Sequence, residues 1–361
     1  NDSIQTLGTF LSSNARRPWW VLWLFASAIL LAVLFYGYFN GNGDVAYERL
    51  DKLSQLPGEG DRSQLLMPGI QWWHALPPLV LLFLTRFGIP VSTTFLVLTL
   101  FALSGGSASE GILEKMIIKS AMGYVVAFAC GAVIWIIISR TFERWVFHTK
   151  DELPWPYWVT FQWLTTTFLW SQWLMQDLAN IFVYLPRETV VDPVTGDVTV
   201  TFSIGLLIFA TLLMVGLHAL IFAARGGEIQ KIVLSKTNTV DVRAATVVDF
   251  AFGIILMYFK EINDIPMSTT WVFLGLLAGR ELAISLAAKL RGIKDAAFDV
   301  TTDIIRAFIG LVISVVMALG LPFLATGELP NIGEALGFAQ AETTVQDVEQ
   351  VELTNTRADA R

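Results

Sequence analysis

The chain has 361 residues, 54% hydrophobic and only 15% charged, a balance too poor in charge to cover the surface of a water-soluble domain. Its net charge of −7 argues against a nucleic-acid partner. The single cysteine, Cys130, excludes a disulfide framework, a Cys-based zinc site and a paired-cysteine redox motif.

In chain order, residues 1–18 read as a cytoplasmic amino-terminal segment ending in Arg16 and Arg17. The run from Trp19 to Phe39 is about twenty residues, long enough to cross a hydrocarbon core of roughly 30 Å. It ends in the aromatic cluster Phe35-Tyr36-Gly37-Tyr38-Phe39 with no small-residue cleavage site after it, so it is expected to remain as a membrane anchor helix. Gly41-Asn42-Gly43-Asp44-Val45-Ala46 reads as a turn with Asp44 in solvent, opening a charged outer loop from Asn40 to Ile70.

Residues 71–139 form a first unit, with candidate membrane segments at Gln71 to Arg86, Pro90 to Ser104 and Met116 to Ser139. Residues 157–224 supply two central helices, Tyr157 to Leu185 and Phe202 to Ala224, joined by a Val/Thr-rich hairpin from Thr189 to Thr201. Residues 243–324 form a second unit, with segments at Ala244 to Phe259, Pro266 to Ala288 and Thr302 to Leu324. Residues 326–361 are an acidic tail, polar enough beyond Ala339 to be disordered.

Positive residues set orientation. They cluster at Arg16 and Arg17; at Arg140, Arg144 and Lys150; at Arg225, Lys231, Lys236 and Arg243; and at Lys289, Arg291 and Lys294. Placing all four clusters in the cytoplasm predicts a multi-pass protein of the inner cell membrane, amino terminus inside and carboxyl terminus outside.

Within that topology one phrase occurs twice. Ile89-Pro90-Val91-Ser92-Thr93-Thr94 returns as Ile265-Pro266-Met267-Ser268-Thr269-Thr270, and the two units carrying it enter the membrane from opposite faces. The fold class expected is therefore an all-α integral membrane protein with inverted-topology repeats and re-entrant or broken helices. Proline suits the first turn of a helix and Ser or Thr caps it, so each phrase reads as a helix start. The arms around the first copy are only about fifteen residues each, which fits a re-entrant hairpin as well as two crossings. A hairpin tip would hold free amides and hydroxyls in mid-membrane under the positive end of a helix dipole, an anion site. A cap or kink in an ordinary membrane helix is the plainer alternative for a single copy.

In Tyr157 to Leu185, Thr165, Gln172, Gln176 and Asn180 share one helix face, and Asp177 sits about 15 Å from the outer end. A carboxylate at that depth needs a partner, water, a proton or a cation, which marks an ion or proton site. Thr165 and Gln172 serve equally well as hydrogen-bonding glue between helices. Asp249 is a second intramembrane acid without a neighbouring base in sequence; Asp303 has Arg306 one turn away, an expected ion pair. Arg280 suits either anion binding or snorkelling toward the cytoplasmic face.

The doubled P-x-S-T-T phrase and the stretch Gln176-Asp177-Leu178-Ala179-Asn180 resemble the Pit-type inorganic phosphate transporters, whose halves carry an N-D-x-A-N signature and a P-V-S-T-T-H-like phrase in inverted repeats. This chain has Phe95 and Trp271 where that family has histidine, and Gln176 where it has asparagine. The resemblance implies a substrate site made by Ser92, Thr93, Thr94, Ser268, Thr269, Thr270, Gln176 and Asn180. It implies a coupling-ion site at Asp177 and Asn180, to which the depth of Asp249 adds that residue. The expected function is a secondary active transporter of a small oxyanion, inorganic phosphate above all, driven by sodium or protons through alternating access. No catalytic residue and no cofactor is expected; the partners are the oxyanion, the coupling ion and the lipid bilayer, and a homo-oligomer is compatible with the reading. Two other classes stand beside it: a membrane-embedded lipid diphosphate phosphatase-like enzyme, which would need a base near the tip serines, and a non-transporting structural membrane protein. His74, His148 and His218, the three histidines, are dispersed along the sequence and supply no obvious base.

Overall fold

The structure, a computed structural model, describes residues 2–50, 70–104, 112–150, 155–191, 198–258 and 268–327. Most of the outer loop, the loop after Ser104, the turn of the hairpin, the start of the second phrase (Ile265, Pro266 and Met267) and the acidic tail lie outside these residues.

The described chain is helical apart from one two-stranded ribbon. Helix α1 (Asp2–Ser13) precedes α2 (Trp19–Asn40), and α3 (Leu76–Arg86) follows a single 3-10 turn. Then come α4 (Thr93–Ser104), α5 (Ile112–Ile138) and the short α6 (Arg144–His148), the last two joined through a π-helical turn at Ser139–Glu143. Helix α7 (Pro156–Asp177) leads through one residue into α8 (Ala179–Phe182) and the ribbon, β1 (Glu188–Val191) against β2 (Val198–Thr201), antiparallel with Glu188 opposite Thr201. Helices α9 (Ile204–Ala223), α10 (Gln230–Leu234), α11 (Val242–Met257), α12 (Thr269–Ala283) and α13 (Ile293–Thr326) complete the order.

Five of these stretches are long and apolar enough to cross a membrane: Trp19–Asn40, Met116–His148, Ile204–Ala223, Thr269–Ala288 and Ile293–Ala325. Their outward faces carry Leu212, Leu217, Leu220, Ile137, Phe308 and Val316 exposed, a surface that water would disfavour and hydrocarbon accepts. The chain is thus built as a multi-pass helical membrane protein.

Helices α3 and α4 pack as a hairpin of two short arms. At 1.5 Å per residue they are about 16 and 18 Å long, well short of roughly 30 Å. Trp73, before α3, packs with Leu100, late in α4, while Leu84, Val91 and Leu96 pack together at the bend. Both arms therefore begin and end at one side. Gly88 turns the chain there with φ +67°, a conformation that costs a residue with Cβ.

Two long helices grip two short ones. Gly275 and Gly279 of α12 meet the carbonyls of Tyr124 and Phe128 in α5, so close that an added Cβ would lie 2.3 and 2.1 Å from the oxygens. Likewise Gly310 of α13 lies against Pro90 and Val91 at the start of α4, with Leu321 further on beside Leu100. Both pairs run parallel.

The four basic clusters meet at one end. Arg225 Nη2 donates to the Arg17 carbonyl at 2.9 Å, Arg243 Nη1 to Thr149 Oγ1 at 2.7 Å, Arg144 Nε to the Ala288 carbonyl at 3.0 Å, and Arg291 Nη1 to the Ser235 carbonyl at 3.3 Å. Gly43, Phe202 and the ribbon occupy the other end, where Phe202 N donates to the Gly43 carbonyl at 3.0 Å.

Residues 2–13 form α1, which is buried on all sides: Ile4, Leu7, Phe10 and Leu11 enter the main core, and Gln5, Thr6, Thr9 and Ser12 are buried with them. Two local expectations are corrected. Asp44 is buried, because its carboxylate accepts from the amides of Ala46 at 2.7 Å and Glu48 at 2.6 Å and so folds residues 44–48 around itself. Asp303 pairs with Lys236 at 2.5 Å, brought from another loop, and not with Arg306.

Candidate functional site

Each phrase starts a helix with its serine as the cap; Pro90 lies two residues before Ser92, ahead of the first turn instead of in it, and Pro266 lies outside the described residues. Ser92 Oγ accepts from Phe95 N at 3.2 Å and the Ser92 carbonyl from Leu96 N at 3.0 Å. Ser268, with extended backbone before α12, does the same for Trp271 N at 3.4 Å and Val272 N at 3.1 Å. The serine oxygens thus satisfy first-turn amides, which leaves the threonines to face outward from the tips.

One threonine from each tip reaches the same carboxylate. Thr94 Oγ1 donates to Asp177 Oδ1 at 2.9 Å, and Thr269 Oγ1 donates to Asp177 Oδ2 at 2.8 Å. Asn180, one turn after Asp177, donates through Nδ2 to Asp177 Oδ1 at 2.9 Å and to Thr94 Oγ1 at 3.1 Å. Thr270 Oγ1 reaches the Val91 carbonyl at 3.2 Å, so the second tip also touches the first directly. All of these side chains are buried, Asp177 to 2% exposure. Asp177 ends α7 and Asn180 lies in α8, so the short break between the helices turns both groups toward the same point.

Two polar atoms in this cluster are buried and have no protein partner, Asn180 Oδ1 and Thr93 Oγ1. Each leaves desolvated hydrogen-bonding capacity at the junction of the tips, a costly arrangement that a bound ion, water or substrate would relieve. Arg49 and Asp2, of opposite charge, both lie within electrostatic reach of Asp177. Gln176 is turned away and donates to the Leu256 carbonyl at 2.9 Å, tying α7 to the end of α11.

Asp249 belongs to a separate cluster. It is fully buried, accepting from Thr9 on α1 and from Thr166 Oγ1 at 2.6 Å and Gln162 Nε2 at 3.5 Å on α7. Asn14 Nδ2 holds Gln162 Oε1 at 3.0 Å and extends the network to Trp163 Nε1, 3.2 Å from Asn14 Oδ1. Thr9 and Asn14 were not singled out in sequence, where residues 1–18 read only as a cytoplasmic amino-terminal segment; the helical recurrence of Ile4, Leu7 and Phe10/Leu11 was the available signal.

Arg280 neither binds an anion at the tips nor snorkels. It is fully buried at the basic end, donating to Glu143 Oε1 at 2.8 Å and Glu281 Oε1 at 2.9 Å. Trp135 Nε1 and Asn238 Nδ2 share Glu143, each at 2.7 Å, and Thr237 holds Glu281 through both amide and hydroxyl. The network fastens the 235–239 loop to α12 and to the π-turn after α5. The histidines are placed away from the tip serines: His74 stacks between Trp73 and Phe101, and His218 is bonded to Ser3 at 3.0 Å.

No family model, no curated protein and no solved structure matches this chain.

Proposed function

We propose that the protein is a secondary transporter of a small oxyanion, with inorganic phosphate as the leading substrate, built from two inverted units whose re-entrant tips meet at Asp177. The single observation that carries this reading is the grip on one buried carboxylate by hydroxyls from both copies of a repeated phrase. From that point α4 runs toward the end that holds Trp73 and Leu321, and α12 runs toward the basic end that holds Glu143. Two half-helices starting together in mid-thickness and leaving in opposite directions are the arrangement alternating access needs.

The chemistry follows from the donors. Asp177 is itself an anion that collects the tip hydroxyls. A second anion at the same tips would lie within about 5 Å of it, costing roughly 3 kcal/mol at an effective dielectric of 20, or more than a hundredfold in affinity. A cation or proton on Asp177 removes that cost and frees Thr94 and Thr269 to donate to the oxyanion. Asn180 Oδ1 and the Val91 carbonyl are oxygens suited to a hard cation such as sodium. Coupling is then a matter of charge: the substrate binds only after the coupling ion does. Asp249, in its own nest, stands as a second coupling acid.

Uptake of labelled phosphate into proteoliposomes, with sodium and proton gradients imposed separately, tests the proposal. Accumulation under one gradient is expected. Hydrolysis of a lipid diphosphate without phosphate uptake, or neither activity in reconstituted, folded protein, would overturn it.

A further inference from the structure

At the basic end an open groove of about 350 Å³ runs between α2 and α7, lined by Arg17, Phe25, Val159, Trp163, Leu164 and Thr167. That volume lies at the small end of the range for small-molecule sites. From Val159 to Thr167 the groove extends about 12 Å along α7, starting beside the aromatic cluster of Trp145, Tyr157, Trp158 and Phe161. Aromatic clusters of this kind sit at headgroup level, so the groove starts at the interface and descends along the acyl chains.

Its mouth is cationic. Arg17 lies over the Trp163 ring, 5.3 Å from guanidinium carbon to centroid, and Arg225 reaches the Arg17 carbonyl at 2.9 Å. Elsewhere at this end Lys236, Arg243, Arg280 and Arg291 are neutralised by Asp303, Asp241, Glu143 with Glu281, and Asp299. Arg16, Arg17 and Arg225 are exposed and have no carboxylate partner among the described residues.

We propose that this groove is a binding site for an anionic glycerophospholipid. The headgroup phosphate is held by the guanidiniums of Arg17 and Arg225, with Arg16 adding charge, and one acyl chain lies along Phe25, Val159, Trp163 and Leu164. A zwitterionic lipid fits the apolar part equally well but brings its own cation to the arginines, so headgroup charge is the discriminating feature. The proposal rests on the membrane reading of the fold and is independent of what is transported.

The test is native mass spectrometry of the full chain in detergent, titrated with phosphatidylglycerol or with phosphatidylcholine of the same acyl chains. Phosphatidylglycerol is expected to bind at least tenfold more tightly. Arg17→Ala and Arg225→Ala should each weaken it about fivefold, while Lys294→Ala, an exposed cation elsewhere at the same end, should leave it unchanged. Thr167→Phe, which fills the groove and keeps the charges, should weaken both lipids. Equal affinity for the two lipids, arginine variants that unfold at the wild-type temperature and bind like wild type, an unaltered Thr167→Phe protein, or displacement by glycerol phosphate alone would each overturn the assignment. Failure of the protein to float with liposomes would instead refute the membrane reading beneath it.

Discussion

At the scale of single residues, Asp177 is where two roles must be separated. Asparagine has its shape without its charge, so Asp177→Asn imitates the neutralised state. Phosphate binding by this variant is expected to lose its dependence on the coupling ion, and uptake against a gradient to vanish, when binding and accumulation are measured on the same preparation. Thr94→Ala and Thr269→Ala each remove one donor, and each should raise the half-saturating phosphate concentration about 5- to 30-fold in uptake assays, with Thr94→Ser recovering most of the loss. Asp44 makes a different prediction, because it lies in the turn beyond α2. Burial raises its carboxyl above the ordinary range, although the amides of Glu48 and Ala46 pull it back. An acid whose folded value is raised favours the fold below its unfolded value, near 3.9, and that contribution is lost as pH rises through the folded value. Thermal unfolding in detergent should therefore show stability falling with rising pH in the acid range for the wild type, and less so for Asp44→Asn.

At the scale of helices, the contact of α12 with α5 is set by glycine. Leucine at 279 would drive its Cβ into the Phe128 carbonyl, and the helices could only part, at a cost of about 1–3 kcal/mol or more. Gly279→Leu should lower the midpoint of thermal unfolding, whereas Gly216→Leu, with nothing within 4 Å of its added Cβ, should not. The Gly-x-x-x-Gly spacing of Gly275 and Gly279 was visible in sequence, but its partner was not, since nothing local says which helix a small-residue face will meet. The same division holds elsewhere. The helix starts at Ser92 and Ser268 and the Val/Thr ribbon were legible because capping and alternation are local. The partners of Asp303 and Arg280 were not: Lys236 and Glu143 arrive from distant loops, and the nearest neighbour in sequence, Arg306, proved irrelevant. Gln176 shares the helix face of Asn180 yet spends its amide on Leu256, a distinction periodicity does not make.

At the scale of the whole molecule, the gathering of Arg17, Arg144, Arg225, Arg243 and Arg291 at one end gives the protein an electrostatic polarity, and the positive-inside tendency converts that polarity into an orientation. On the proposed reading the opposite end, with Gly43 and the ribbon, is expected to face outward, and each tip to be reached from the side its own arms come from. This is open to direct measurement. With Cys130 replaced by serine, single cysteines at Asn40 and Glu188 on one end, and at Arg140 and Lys294 on the other, place exposed thiols on each face. A membrane-impermeant maleimide applied to intact spheroplasts should label the first pair and spare the second until the membrane is opened. Labelling of one member from each pair would mean that the ends are not the faces. The two units would then no longer enter from opposite sides, and without that inversion the meeting of Thr94 and Thr269 on Asp177 would be a packing contact with no access to alternate.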